Sequence, residues 1–315
     1  MHPAPAEPTL SVIIISYNTR DLLAGCLRSL RRVSDEAEFE TIVVDNASAD
    51  GSAELVRGDF PEVILIDAGK NLGFAAANNL GLARACGKFL MFLNPDTFVS
   101  RGTIVQLLDV LTRQEQEEAG AEKVAIAGAT LVYPFGEPQV SVLKFPSLWR
   151  EFWNFLPEVK SVLLKFARVV NSFVPFPEKQ ITAPYRVECV SGAAFMARAD
   201  AMREVGGFDE GFFLYHEERD LCYRLAAAGW EIWTVPLATA IHFDAQASGY
   251  RPDRFPRSPI LDYRILGMDR LYRKHRPGWQ HKVWKIWAGM MLAARGEKVL
   301  RRRLRPENKG AKADK

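Results

Sequence analysis

Residues 11–52 read SVIIISYNTRDLLAGCLRSLRRVSDEAEFETIVVDNASADGS, and the changes of rhythm within them decide the fold class. Leu10–Ser16 is a short apolar run rich in β-branched residues, the pattern of a strand buried on both faces. Asp21–Leu30 follows with Leu22, Leu23, Cys26, Leu27 and Leu30 at helical spacing. Glu40–Asp45 returns to strand character and Ala49–Arg57 to a short helix. The alternation continues outward: Val63–Asp67 reads as a third strand, Phe74–Cys86 as an Ala-rich helix, and Phe89–Leu93 as a fourth strand. Strands and helices alternating at this pace predict an α/β fold, a mostly parallel central sheet flanked by helices on both faces.

In such sheets ligands bind beyond the carboxyl ends of the strands. Three of those ends are polar here: Ser16-Tyr17-Asn18, Asp45-Asn46 and Asn94-Pro95-Asp96. Turn chemistry alone explains any one of them; three together favour a site. Further along, Val124–Tyr133 and Gln139–Leu143 read as strands divided by a Pro-Phe-Gly turn. Residues 145–177 are rich in aromatic and aliphatic side chains, read either as an excursion packed on the core or as a greasy acceptor-side lid. Val187–Arg198 resumes strand character around a Ser-Gly turn. Glu217–Ala228 is a helix stopped by Gly229, Glu231–Val235 and Thr239–Phe243 are short strands, and Tyr263–Lys274 and Lys282–Arg305 are helices.

The 315 residues include 48% hydrophobic and 25% charged side chains, which excludes a fibrous or wholly disordered chain. A net charge of +3 hides an asymmetry. From Arg270 onward there are 15 Lys/Arg against 3 Asp/Glu, whereas the first 269 residues carry 26 against 35. The four cysteines form no CxxC pair or zinc-finger spacing, so they read as reduced, mostly buried thiols. The N-terminus lacks the charged and apolar regions of a secretory signal, and no apolar run spans a bilayer. A cytoplasmic protein that meets a membrane only at its surface is expected.

Several common signatures are absent. Gly81 and Gly87-Lys88 fail the P-loop spacing, no GxGxxG follows the first strand, and His216-Glu217 has Asp220 where a zincin needs its second His. Carboxylates remain. Asp96, three residues past an apolar strand, is either a helix cap or a ligand for a hard divalent cation. Glu217-Glu218-Arg219-Asp220 either complements a helix dipole or, beside the aromatic run Phe212-Phe213-Leu214-Tyr215, supplies a general base with a raised pKa. His242 ends an apolar strand, where it is a core residue or a ligand.

In this order, these pieces resemble a family 2 glycosyltransferase of the GT-A fold, in the branch that contains bacterial rhamnosyltransferases. The resemblance covers Leu10 to Gln246 and is carried by SVIIISYN (11–18), IVVDNASADGS (42–52), NLGFAAANNLGLARACG (71–87), FLNPDT (92–97) and VGGFDEGFFLYHEERDLCYRLAAAG (205–229). It implies that Asp45, with Ser16 and Asn18 nearby, binds the nucleobase of a nucleotide-sugar donor, and that Asn71 and Asn79 frame the nucleotide pocket. Asn94-Pro95-Asp96 takes the place of the family's DxD motif, with Asn94 in place of the first acid; Asp96, joined by His242, would hold Mg²⁺ or Mn²⁺. Glu217-Glu218 takes the place of the ED motif of inverting enzymes, with Glu218 as base and Glu217 next.

The expectation is an inverting transfer, from a dTDP- or UDP-sugar such as dTDP-L-rhamnose, to a glycan or polyprenyl-diphosphate-linked acceptor. A sugar nucleotidyltransferase and a silent nucleotide-binding scaffold are the alternatives. The expected organisation is a GT-A domain over 1–258 (donor half about 10–134, acceptor and catalytic half about 135–258), a basic amphipathic helical extension over 259–305, and a disordered tail over 306–315. In the extension Val283, Ile286, Trp287, Met290 and Ala294 make an apolar face beside Arg295–Arg305, suited to an anionic membrane surface. No nucleic-acid recognition motif accompanies the charge.

Overall fold

The computed structural model describes residues 8–112, 123–155, 182–243 and 259–294. The chain forms two compact units, Met1–Phe145 with Gln180–Pro252, and Pro146–Lys179 with Asp253–Lys315.

The first unit is built on a nine-stranded sheet. Strand β1 (Leu10–Ser16) lies between β2 (Phe39–Asp45) and β4 (Phe89–Leu93), with β3 (Ile64–Asp67) beyond β2, and all four run parallel. Next to β4 comes β10 (Ala194–Arg198), antiparallel both to β4 and to β6 (Val124–Val132). Then β11 (Glu231–His242) runs parallel to β6 and carries antiparallel β5 (Thr97–Val99) and β8 (Tyr185–Val187). A separate pair joins β7 (Val142–Leu143) to β9 (Cys189–Val190).

Every residue of β1 and β4 is buried, and the alternation of side chains divides each strand between two cores. Val12 and Ile14 meet helix α1 (Arg20–Arg32) through Leu23, Cys26, Leu27 and Leu30, in a core that also takes in α2 (Ser52–Asp59) and α4 (Thr103–Thr112). Ile13 and Ile15 join the opposite core with Ala75 and Ala77 of α3 (Phe74–Arg84), Met202 of a short helix at Ala199–Glu204, and Leu221, Cys222 and Leu225 of the helix Glu217–Ala227. These apolar runs read as strands because both of their faces are covered.

Some elements differ from the sequence expectation. Glu231–Val235 and Thr239–Phe243 form one strand, because β11 passes Pro236 through a register shift between Val235 and Thr239. Proline donates no ladder hydrogen bond, so in a paired strand it is confined to such irregularities. Gln139 lies outside β7, which is only Val142–Leu143, and Val187–Arg198 divides into separate short strands. All four cysteines are free, with Cys26, Cys189 and Cys222 buried and Cys86 exposed.

The second unit contributes α5 (Leu148–Phe155), α8 (Pro259–His275) and α9 (Gly278–Ala294), where the short helix and Glu217–Ala227 are α6 and α7. Tyr272 and Trp284 stack at 5.6 Å in its interior, and Arg276 Nη2 donates to Pro146 O at 2.6 Å. On α9 the buried residues are Trp284, Ala288 and Leu292, whereas Trp279, Ile286 and Met290 are exposed. The apolar residues read from the sequence as one face therefore include two, Ile286 and Met290, that lie on the outer side of the helix. Residues 295–305 and 156–177, which carry parts of the expected basic helix and aromatic stretch, lie outside the described residues.

Candidate active site

The carboxyl ends of β1, β2 and β4 open toward a cavity of about 340 Å³. Its lining includes Tyr17 and Thr19 after β1, Asn46, Asn71, Gly73 and Phe74 around the second strand end, Asn94-Pro95-Asp96 after β4, and Phe213–Tyr215 with Glu217 and Glu218. Ser191-Gly192-Ala193 and His242 complete it.

Two carboxylate groups meet here. Asp96 follows β4 and immediately precedes β5, and the pairing of Thr97 with His242 brings His242 beside it across 146 positions of chain. Phe243 N–H donates to Asp96 O at 3.0 Å. The side chains face each other, His242 Nε2 lying 3.3 Å from Asp96 Oδ1, while no hydrogen bond reaches that buried oxygen. On the far side of the ring, His242 Nδ1 is 2.9 Å from Gln139 Oε1. Asn94 Oδ1 is likewise buried without a hydrogen-bond partner.

The second group sits at the start of α7. Tyr215 and His216 both hold positive φ, 69° and 75°, a left-handed turn that costs non-glycine residues energy and recurs at functional sites. That turn delivers Glu217 and Glu218 into the cavity wall. Glu217 is buried and its Oε2 has no hydrogen-bond partner; Glu218 is only partly covered. Burial, and then the adjacent Glu218 charge, push the Glu217 carboxyl well above the usual range.

A cation suits this chemistry. Asp96 and Asn94 offer oxygens and His242 a ring nitrogen, a set compatible with Mg²⁺ or Mn²⁺. The 3.3 Å between Asp96 Oδ1 and His242 Nε2 is close to the ~3 Å that separates neighbouring ligands of an octahedral ion with bonds of about 2.1 Å. Among the described residues the cavity lining includes no Lys or Arg, so an anionic ligand finds no side-chain cation there. No group of three or more His, Cys, Asp or Glu suited to a metal occurs among the described residues, so Asn94 or a ligand would complete the set.

The residues expected from sequence divide. Asn71, Asn94, Asp96, Glu217, Glu218 and His242 line the cavity. Ser16, Asn18 and Asp45 do not; they build the turn beside it. Ser16 Oγ is 3.0 Å from Thr19 Oγ1, Asn18 Oδ1 accepts from Ala49 N at 2.7 Å, and Asp45 Oδ2 accepts from Ser48 N at 3.0 Å. Asp45 Oδ1 is buried and unpartnered. Asn79 also stands apart, clasping the backbone of Phe208 by donating to its carbonyl and accepting from its N–H, both at 2.9 Å.

Asn46, read from the sequence only as part of a polar strand end, joins the site. Its Nδ2 donates to Asn71 Oδ1 at 3.0 Å and its Oδ1 accepts from Leu72 N at 2.8 Å. Gly73, at φ 81°, lies so close to Phe213 that a Cβ would stand 2.5 Å from the Phe213 carbonyl oxygen. Phe74 N–H donates to that same oxygen at 2.6 Å. Asn71 and Gly73, two residues apart, were the available signal for this loop.

A nine-stranded sheet of this topology, with carboxylates gathered beyond its strand ends, is the GT-A fold. Its fold is similar to that of GalNAc-T7 solved with UDP, GalNAc and Mn²⁺ (TM-score 0.58, 17% identity, 85% of this chain and 50% of that one). It is also similar to the mannosyltransferase PcManGT of Pyrobaculum calidifontis solved with GDP-Man and Mn²⁺ (TM-score 0.51, 18% identity, 95% of this chain and 79% of that one). Residues 11–206 match the family described as Glycosyl transferase family 2, and the chain belongs to that family. Over 94% of both chains it is 28% identical to the N-acetylglucosaminyl-diphospho-decaprenol L-rhamnosyltransferase of Mycobacterium tuberculosis. It is 26% identical to rhamnosyltransferase WbbL of Escherichia coli, over 74% of this chain and 82% of that one.

Proposed function

We propose that this glycosyltransferase is metal-dependent and inverting, and moves L-rhamnose from dTDP-rhamnose to a polyprenyl-diphosphate-linked glycan acceptor in cell-surface glycan biosynthesis. The observation that carries the reading is the meeting of Asp96–His242 with Glu217–Glu218 in one cavity, whose lining among the described residues includes no Lys or Arg. The names of the two rhamnosyltransferases support the sugar, and the decaprenol-linked acceptor of one supports the acceptor class.

Asp96 and His242, with Asn94 beside them, would hold Mg²⁺ or Mn²⁺. When bound, the ion supplies Lewis-acid neutralisation of charge on the departing nucleoside diphosphate. Asp45, whose Oδ1 lacks a protein partner, binds the nucleobase from the strand end next to Asn46. Ser16 and Asn18 shape that turn, and Asn71 faces the donor.

Glu218 takes the proton of the acceptor hydroxyl as that oxygen attacks the anomeric carbon on the face opposite the leaving group. A single displacement inverts the centre. Proton transfer to a positioned base contributes about 10²–10⁴-fold, with orientation and electrostatics supplying the remainder. Burial, and then the neighbouring Glu218 charge, favour the protonated form of Glu217.

The exposed Trp279, Ile286 and Met290 of α9, followed in sequence by Arg295–Arg305, suit a peripheral site on the anionic cytoplasmic face of the membrane. No helix among the described residues is long and apolar enough to cross it.

The deciding assay incubates the protein with dTDP-rhamnose, a polyprenyl-diphosphate-linked N-acetylglucosamine acceptor, and Mg²⁺, Mn²⁺ or EDTA. Acceptor-dependent release of dTDP that EDTA abolishes is the expected result. Glu218→Gln should bind donor normally while losing transfer by about 10²-fold or more. Near-normal turnover in that variant would remove Glu218 from the role of base, and pyrophosphate release would indicate a nucleotidyltransferase.

A further inference from the structure

We propose that Gln139 is a positioning residue that sets which nitrogen of His242 carries the proton and aims the other at Asp96. The inference rests on the reading of Asp96 and His242 as cation ligands.

The hydrogen bonds fix the assignment step by step. Gln139 Nε2 is 2.7 Å from the backbone carbonyl of His242, and a carbonyl oxygen only accepts, so the amide nitrogen must face it. The amide oxygen is thereby turned to His242 Nδ1 at 2.9 Å. That oxygen also only accepts, so Nδ1 carries a hydrogen. In the neutral ring the lone pair then belongs to Nε2, the atom 3.3 Å from Asp96 Oδ1. One amide thus holds both the ring and the backbone of the same histidine.

Gln139 is itself held rigidly. Its N–H donates to Leu131 O at 2.9 Å, while Ser141 Oγ accepts from Leu131 N at 2.7 Å and donates to Gln139 O at 3.1 Å. Leu131 belongs to β6, which runs parallel to β11, the strand that ends at His242. Gln139 does not line the cavity, so its influence on a bound ion passes through His242. Partners of this kind on a ligating histidine are worth about 10–100-fold in metal affinity.

The test measures Mn²⁺ affinity by electron paramagnetic resonance titration in the presence of UDP, with the His242 tautomer read by ¹⁵N NMR. Gln139→Met, similar in size but unable to make either bond, should weaken Mn²⁺ binding about 10–100-fold and let the tautomers mix. Gln139→Glu, which still offers an oxygen to Nδ1 but loses the donor to the His242 carbonyl, should keep the Nδ1–H tautomer and weaken Mn²⁺ binding less than Gln139→Met does. In a His242→Ala background, Gln139→Met should have no further effect; an equal loss there would mean a merely structural role and would overturn the proposal. Wild-type affinity and an unchanged Nδ1–H tautomer in Gln139→Met would overturn it too. If His242→Ala alone binds Mn²⁺ normally, the cation reading of His242 fails, and the role given to Gln139 fails with it.

Discussion

Glu217 and Glu218 both line the cavity, but Glu217 is buried with an unpartnered oxygen while Glu218 is only partly covered, so adjacent positions of one helix differ in their surroundings. The raised pKa of Glu217 has a consequence for stability with a definite sign. Folding favours its protonated form, so its contribution is fully present below the unfolded carboxyl pKa of about 4.3 and is lost as pH rises through the folded value. Glu217→Gln keeps the shape and removes the titration. Relative to wild type, its Tm should be similar near about pH 4 and higher once the pH has risen above the unfolded carboxyl value. The gap opens by up to about 1.4 kcal/mol per pH unit across the shifted range. A difference in Tm that does not vary with pH would show that Glu217 titrates normally. At this scale the sequence was informative for the acids, because Glu217-Glu218 and Asp96 stand at element boundaries. It was silent on which acid is buried, since burial depends on walls such as Ser191-Gly192-Ala193 that arrive from distant segments.

Helix α3 is tied to the segment that leads into α7 at two points, through Asn79 to Phe208 and through Gly73 and Phe74 to Phe213. Because that segment ends at Glu217, contacts on the nucleotide side of the cavity bear on the placement of the acids. Gly73→Ala brings both a strained positive φ and a close contact with the Phe213 carbonyl. It should lower Tm and reduce kcat/KM together. Asn79→Ala removes two hydrogen bonds to one residue and should cost about 1–3 kcal/mol in thermal or urea unfolding. Gly58, inside α2 with open space around its Cβ position, is the control: Gly58→Ala should gain up to about 1 kcal/mol and leave activity alone. If all three variants behaved alike, the coupling through Phe208 and Phe213 would be wrong. The elements themselves were largely legible, since β1, β2, β4 and α1 are written in hydrophobic period. The breaks in that reading have local causes. Asp50-Gly51 delays α2 to Ser52, with Gly51 at φ 83°, and Pro236 looks like a strand end although β11 continues past it. The pairing of Gln139 with His242 was not legible, because 103 residues separate them and only the parallel pairing of β6 with β11 brings them together.

Across the whole molecule, the charge asymmetry of the sequence meets an exposed apolar stripe on α9, where Trp279, Ile286 and Met290 are 60%, 61% and 58% exposed. Replacing Ile286 and Met290 by Gln should reduce partition onto vesicles containing anionic phosphatidylglycerol. It should leave Tm within a few tenths of a kcal/mol of wild type, because neither side chain belongs to the buried set of Trp284, Ala288 and Leu292. Partition should also fall as salt is added. Unchanged partition in the double variant would assign these residues another role. The sequence revealed the apolar and basic composition of this helix but placed its faces only approximately, since Trp284 and Trp287 compete for the core and packing against Tyr272 selects Trp284.

The position of β10 also bears on how the chain is made. Residues 194–198 insert between β4 and β6, strands that precede them by about a hundred and about seventy positions. During synthesis both of those apolar strands leave the ribosome with an edge that has no partner until β10 emerges. Unpaired edges of this kind are templates for association with other chains. A fragment ending at residue 134 should therefore aggregate rather than fold, as light scattering of the expressed fragment would show, although it holds every strand of the parallel β3-β2-β1-β4 row. The strand that joins β4 to β6 is made last but one, so both edges wait for it.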